Sequence, residues 1–269
     1  MGENEQGGML RTVVVVGLVA IIAFVVIVST VAIAKNSQSS QNDTVSKITD
    51  AANPTLNADD TNYNYKYSAS TMTASIYALK DTNLAKDKDV IVPGSVIHDG
   101  KTYVVTEIES STFADAGITG VSLPDSIQVI GSYAFKNNLL TSISLPNSLT
   151  SIADGAFLSN RLTSVTIPNG VTTIGKYAFQ QNDISSLKLN DGLKSIDDGA
   201  FNQNKLASLV VPDGVSTVGK FAFSQNKFSK NSVTIGSSTV YDNTYSNGSF
   251  GLVWDNASNS NIVLEPIVK

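Results

Sequence analysis

From residue 118 to residue 227 the chain repeats one pattern of apolar and polar positions every 22 residues. The window ITGVSLPDSIQVIGSYAFKNNL (118–139) is followed, with no residue gained or lost, by LTSISLPNSLTSIADGAFLSNR, LTSVTIPNGVTTIGKYAFQQND, ISSLKLNDGLKSIDDGAFNQNK and LASLVVPDGVSTVGKFAFSQNK. A constant period of this size marks a solenoid, in which each unit buries its apolar face against its neighbours. Counting from the first Leu or Ile of each repeat, positions 4 and 6 are apolar, as in Val121/Leu123 and Val165/Ile167. Spacing of two puts both on one side of a strand. Position 7 is Pro124, Pro146, Pro168 and Pro212, with Asn190 as the exception. Proline has no N–H for a ladder, so it ends the strand, and the Asp/Asn-Gly/Ser pair that follows signals a turn. Positions 10 and 13 are apolar again and predict a second short extended segment ending at Ile130, Ile152, Ile174, Ile196 and Val218.

Three positions do not vary. Position 17 is alanine, position 18 is Phe135, Phe157, Phe179, Phe201 and Phe223, and position 21 is Asn138, Asn160, Asn182, Asn204 and Asn226. The phenylalanines read as a stacked core spine. The asparagines read as structural, capping backbone groups at a tight turn and linking rungs. A longer beat overlies the first. Repeats one, three and five carry Tyr133, Tyr177 and Phe221, while Asp154 and Asp198 stand in the repeats between. This stripe reads either as an aromatic edge for partner contact or as a charge-balanced solvated edge, with Lys176 and Lys220 close to aspartates of adjacent rungs.

The flanks are irregular. YNYKY (63–67) and TMTASIYAL (71–79) predict a hairpin cap over the open end of the solenoid. VIVPGS (90–95) and VTEIESSTF (105–113) are the front and back of a split repeat, interrupted by a hairpin whose turn is Asp99-Gly100. Phe228 starts a partial sixth repeat, SVTIG keeps its strand, and the rest is a C-terminal cap with Trp254 as its plug. The expected organisation is therefore mainly β: a tail (1–11), an apolar span (12–34), a flexible linker (35–60), an N-terminal cap with the split repeat (61–117), five repeats (118–227), and a partial repeat with cap (228–269).

Residues 12–34 contain no charge, and as a helix they are long enough to cross a bilayer. The expectation is a single-pass signal anchor with the repeats outside. The alternative is secretion after cleavage following Ala34, where Ala32-Ile33-Ala34 fits the small-x-small pattern. A pilin-type leader cut after Gly8 would need glutamate where Val13 stands.

Composition narrows the chemistry. A net charge of −5 with scattered lysines argues against nucleic acid. The absence of cysteine removes disulfides, thiolate zinc sites and cysteine nucleophiles together. His98 is the single histidine and reads as an exposed turn residue. Asp197-Asp198 are adjacent carboxylates that need not converge, and DNASNSN after Trp254 lacks calcium-loop spacing. No catalytic, cofactor or metal site is expected.

The outline LxxLxLPxxLxxIxxxAFxxN, over about residues 90–236, resembles the BspA-like leucine-rich repeats of bacterial surface proteins. One departure is asparagine at position 21, where many members carry cysteine. The resemblance implies a leucine-rich repeat solenoid, surface display, and binding of an extracellular protein or other macromolecule, including host matrix or a neighbouring cell surface. The candidate face consists of strand side chains pointing away from the core: Ser142, Ser144, Ser164, Thr166, Ser186, Lys188 and Ser208. Tyr133, Tyr177 and Phe221 form the alternative edge. A second functional reading is a structural subunit or spacer of an envelope or pilus-like assembly.

Overall fold

Each repeat forms one coil that turns its apolar columns inward. The computed structural model describes residues 61–80, 89–229 and 231–241 in full, and the backbone of strands 55–57, 252–255, 260–263 and 267–268. The apolar span 12–34, linker residues 35–54 and 58–60, and the Trp254 side chain lie outside the described residues, whereas linker residues 55–57, expected as flexible tether, form a strand of the cap sheet because they pair with 95–97. Among the described residues no helix is long and apolar enough to cross a membrane.

The cap begins with β1 (Thr55–Asn57), then a hairpin of β2 (Tyr63–Ser68) and β3 (Thr73–Leu79). β4 (Asp89–Ile91) is the front of the split repeat, and β5 (Ser95–His98) with β6 (Lys101–Ile108) is the inserted hairpin. Asp99 and Gly100 turn it with φ of 49° and 70°, the two left-handed residues that a two-residue hairpin connection favours. The cap sheet runs β1-β5-β6-β3-β2. It enters the repeats where β7 (Gly120–Ser122) pairs with β4 and β8 (Val129–Ile130) pairs with β6, both in parallel.

Later rungs supply β9 (Ser151–Ile152), β10 (Ser164–Thr166), β11 (Thr173–Ile174), β12 (Ser186–Lys188), β13 (Ser195–Ile196), β14 (Leu209–Val210), β15 (Thr217–Val218), β16 (Val233–Ile235) and β17 (Val240–Tyr241). The second segments join as one parallel ladder, β9-β11-β13-β15-β17. β18 (Leu252–Asp255) and β19 (Ser260–Val263) pair antiparallel, and β20 (Ile267–Val268) extends β14-β16. The first segments are less regular than their sequence predicts. They pair in separate patches, β4-β7, β10-β12 and β14-β16-β20, and residues 142–145 are not a strand. Those residues still alternate exposed and half-buried, because the partition of side chains between core and water sets that alternation, with or without ladder bonds.

A third set of bonds joins each coil to the next. The N–H groups of Tyr133, Phe135 and Asn137 donate to the carbonyls of Asp154, Ala156 and Leu158, and Phe157, Phe179 and Phe201 donate to Ala178, Ala200 and Ala222, all at 2.7–2.9 Å. The chain reaches this geometry through left-handed residues at positions 16 and 20, among them Tyr133, Tyr177 and Phe221 with φ near 58° and Asn137, Ser159 and Gln181 with φ near 55°. A left-handed tyrosine or phenylalanine is costly, about 1–2 kcal/mol per residue, so packing has to hold it there.

The core is one continuous cluster. Phe113, Phe135, Phe157, Phe179, Phe201 and Phe223 are wholly buried and stack with ring centroids 5.1–5.4 Å apart and planes within 11°. Phe113 extends the spine into the split repeat, and Tyr63 meets it edge-on at 5.9 Å. The Tyr63 hydroxyl then donates to the Ile91 carbonyl at 2.8 Å, tying the cap to the edge of β4. Burial holds that phenol well above its ordinary pKa, so it remains a donor. On the cap surface, partial burial pushes Glu109 up. Hydrogen bonds from Lys66 and Ser75 outweigh it and hold the carboxyl below its ordinary value.

Candidate binding surfaces

The strand face is built by the alternation within β10, β12 and β14. Val165 and Leu209 point into the core, and the residues on either side of them point out. Ser142, Ser144, Ser164, Thr166, Ser186, Lys188 and Ser208 are all exposed. Ser164 lies opposite Ser186, and Thr166 opposite Lys188. The face is not uniformly polar. Val210 at 61% exposure and Ile91 at 52% stand in the column of Thr166 and Lys188, so hydroxyls lie between apolar ends. Both valine and isoleucine were visible in the sequence, but only the strand register shows that they face solvent.

The aromatic edge has a local cause. Position 16 is left-handed in every rung, and it alternates Tyr133, Gly155, Tyr177, Gly199, Phe221. A Cβ on Gly155 would lie 2.3 Å from the Tyr133 ring, and one on Gly199 would lie 2.5 Å from the Tyr177 ring. Each tyrosine therefore lies across the bare backbone of the next rung. Position 14 shows the reciprocal fit. Gly175 leaves room for the Asp154 carboxylate, whose Oδ1 accepts the Lys176 N–H at 2.8 Å. Gly219 does the same for Asp198, which accepts the Lys220 N–H at 2.9 Å. The structural unit at this edge is thus a pair of repeats. Gly155→Ala should destabilise the domain by roughly 1–2 kcal/mol from the left-handed backbone, and by more once the Tyr133 ring is displaced. Chemical denaturation of the full chain measures this.

Tyr133, Tyr177 and Phe221 remain 37%, 41% and 39% exposed. A cleft of about 640 Å³ opens at Lys176 and Lys220, the chain neighbours of Tyr177 and Phe221; Asp197, Asp198, Thr217 and Tyr241 line it with them, and none of the three rings does. Lys176 Nζ is 3.6 Å from Asp198 Oδ2. The adjacent carboxylates Asp197 and Asp198 do share this cleft, which their spacing alone could not show. Burial, then the charges of Asp154 and Asp198, push the Asp197 carboxyl up. Its proton is therefore held more tightly in the folded chain than in the unfolded one. Ionised Asp197 opposes folding at neutral pH; that opposition begins to fade as the pH falls through the folded pKa and is gone below the unfolded value. Asp197→Asn should raise the melting temperature at neutral pH, with no difference from the parent below about pH 3.9.

His98 is not a free turn residue. It ends β5 and stacks on Tyr67 at 4.1 Å with planes 2° apart, beside Tyr103. The Tyr67 contact spans more than thirty positions in sequence and leaves no local signal.

Residues 106–248, more than half of the chain, match in six copies the family described as BspA type leucine rich repeat region. The chain belongs to the BspA-type leucine-rich repeat family. None of the curated proteins matches it. Two solved structures share the fold. A leucine-rich cell surface protein from Faecalibacterium prausnitzii A2-165 superposes with a TM-score of 0.52 at 21% identity, covering 77% of this chain and 60% of that one. The pneumococcal vaccine antigen PcpA superposes with a TM-score of 0.56 at 20% identity, covering 66% and 49%. This chain thus spans between half and three-fifths of those molecules. As a BspA-type repeat protein it presents a repeated β scaffold with columns of side chains facing solvent.

Proposed function

We propose that this protein is a membrane-tethered, cell-surface binding protein that recognises an extracellular protein or another macromolecule, without catalysis, through its strand face. The observation that carries this reading is the strand face itself, where seven small or polar side chains all face solvent on a rigid β scaffold. Rigid elements hold a contact surface at low entropic cost, and a face with few charges binds through shape and hydrogen bonds more than by electrostatic steering. The uncharged span 12–34 supports the tether, and the polar stretch 35–54 ahead of β1 would hold the repeats away from the bilayer.

Protease shaving of intact cells tests the placement. Peptides from residues 60–269 should be released while 12–34 stays in the membrane. Full protection of the repeats would overturn surface display. The double variant Thr166→Glu, Lys188→Glu tests the face and should abolish capture of an extracellular protein partner while leaving the melting temperature in place.

A further inference from the structure

The aromatic edge and its cleft form a second surface, distinct in place and chemistry from the strand face. Successive rungs of the core spine are 5.2–5.4 Å apart. Tyr133, Tyr177 and Phe221 occupy alternate rungs, so they recur about every 10–11 Å along the solenoid. The intervening rungs present no side chain at that position, because Gly155 and Gly199 lie beneath the rings. They present Asp154 and Asp198 instead, one residue earlier. The edge therefore alternates an apolar ring with a hydrogen-bonding carboxylate, rung by rung.

An extended β-linked pyranose chain has the matching alternation. Each sugar is turned over relative to the last, so the same C–H face recurs every second residue, at a distance close to two rungs. One sugar can lay its C–H face on an exposed ring. The next offers hydroxyls that donate to a carboxylate or accept from a lysine ammonium. The cleft carries this chemistry: Asp197 and Asp198 as acceptors, Lys176 and Lys220 as donors, and the Tyr241 side chain alongside. Its volume of about 640 Å³ is in the range of small-ligand sites. Two acids and two lysines cancel within it, and the whole chain is acidic, so the complementary ligand is uncharged and not a polyanion. We propose that the Tyr133–Tyr177–Phe221 edge, with the cleft beside it, binds an extended, uncharged, β-linked glycan.

The test is calorimetric titration of the detergent-solubilised full chain with chitohexaose and cellohexaose, with polygalacturonate as the charged probe. The expected result is saturable binding of a neutral hexasaccharide. The double variant Tyr177→Asn, Phe221→Asn should weaken it about tenfold, the factor expected for losing aromatic contacts at a binding centre. Asparagine tolerates the left-handed backbone at both positions, and a melting curve checks the fold. If that variant fails to fold, Lys220→Gln, which removes one hydroxyl donor from the cleft, must weaken binding in its place. The strand-face variant Thr166→Glu, Lys188→Glu should bind the hexasaccharide as the parent does, so failure of the strand-face reading leaves this result untouched. The proposal is overturned if neither hexasaccharide binds at millimolar concentration, or if the edge variants bind undiminished. Preference for polygalacturonate, or an edge that captures only a protein, would overturn it equally.

Discussion

Truncating Phe157 to alanine is expected to destabilise the repeat domain by about 3–5 kcal/mol. The ring is wholly buried and stacked on both sides, 5.4 Å from Phe135 and 5.3 Å from Phe179. Its loss removes apolar area from the core and opens a gap that backbone bonds on each side of the coil resist filling. The Phe157 N–H is held by Ala178, and the Phe135 N–H by Ala156, so the rung cannot slide to collapse the void. In a solenoid, stability is close to a sum of repeat and neighbour terms. The effect should therefore spread to both adjacent rungs and show in hydrogen exchange as lost protection around Phe135 and Phe179. Phe157→Leu, which fills part of the gap, should recover much of the loss. Urea denaturation of the full chain gives the number; a loss below about 1 kcal/mol would mean that the spine is not what holds the rungs together.

The spine, the two extended segments and the proline stops were legible because each is written in residue type at a fixed position. The 22-residue period turns weak local signals into columns, and a column of phenylalanine has one physical reading. The Asp99-Gly100 hairpin was legible for a different reason, since few residues accept two consecutive left-handed conformations. The third ladder was not legible. It is made by backbone groups of the Ala-Phe segment and requires left-handed tyrosine and glutamine, residues that give no sequence warning of that conformation. The alternation of Tyr133, Gly155 and Tyr177 could be seen, but its cause could not. That cause is a ring seated on the neighbouring rung's glycine, and it depends on inter-rung distance and φ together. The candidate face was legible as a set of outward positions. The cleft joining Asp197, Asp198, Lys220 and Tyr241 draws on separate rungs and appears only when they stack.

Replacing Asn182 with alanine should be nearly as damaging as losing a core ring, and for a polar reason. Asn182 is buried; its Oδ1 accepts the Leu162 N–H at 3.0 Å, closing its own coil from last turn to first residue. Its Nδ2 donates to the Phe179 carbonyl in the same rung and to the Phe157 carbonyl in the rung before. The asparagines thus connect rungs through phenylalanine carbonyls, not through each other. Each carbonyl is shared: Phe157 also accepts from Asn160, and Phe179 also accepts from Asn204. Alanine leaves those carbonyls one donor each, but the Leu162 amide loses the side-chain acceptor that satisfied it. An unsatisfied buried amide costs about 1–3 kcal/mol, and the cavity adds to it. Aspartate at the same site separates the two roles. Asn182→Asp keeps the acceptor for Leu162 but aims a carboxylate at two carbonyls, which raises its folded pKa above the unfolded value. The charged form then opposes folding at neutral pH, and protonation supplies the missing donor. Its melting temperature should therefore rise relative to Asn182→Ala as the pH falls below about 6, an order-of-magnitude placement for a buried carboxyl. Parallel melting curves for the two variants would show no such divergence if the asparagine column served only to fill space.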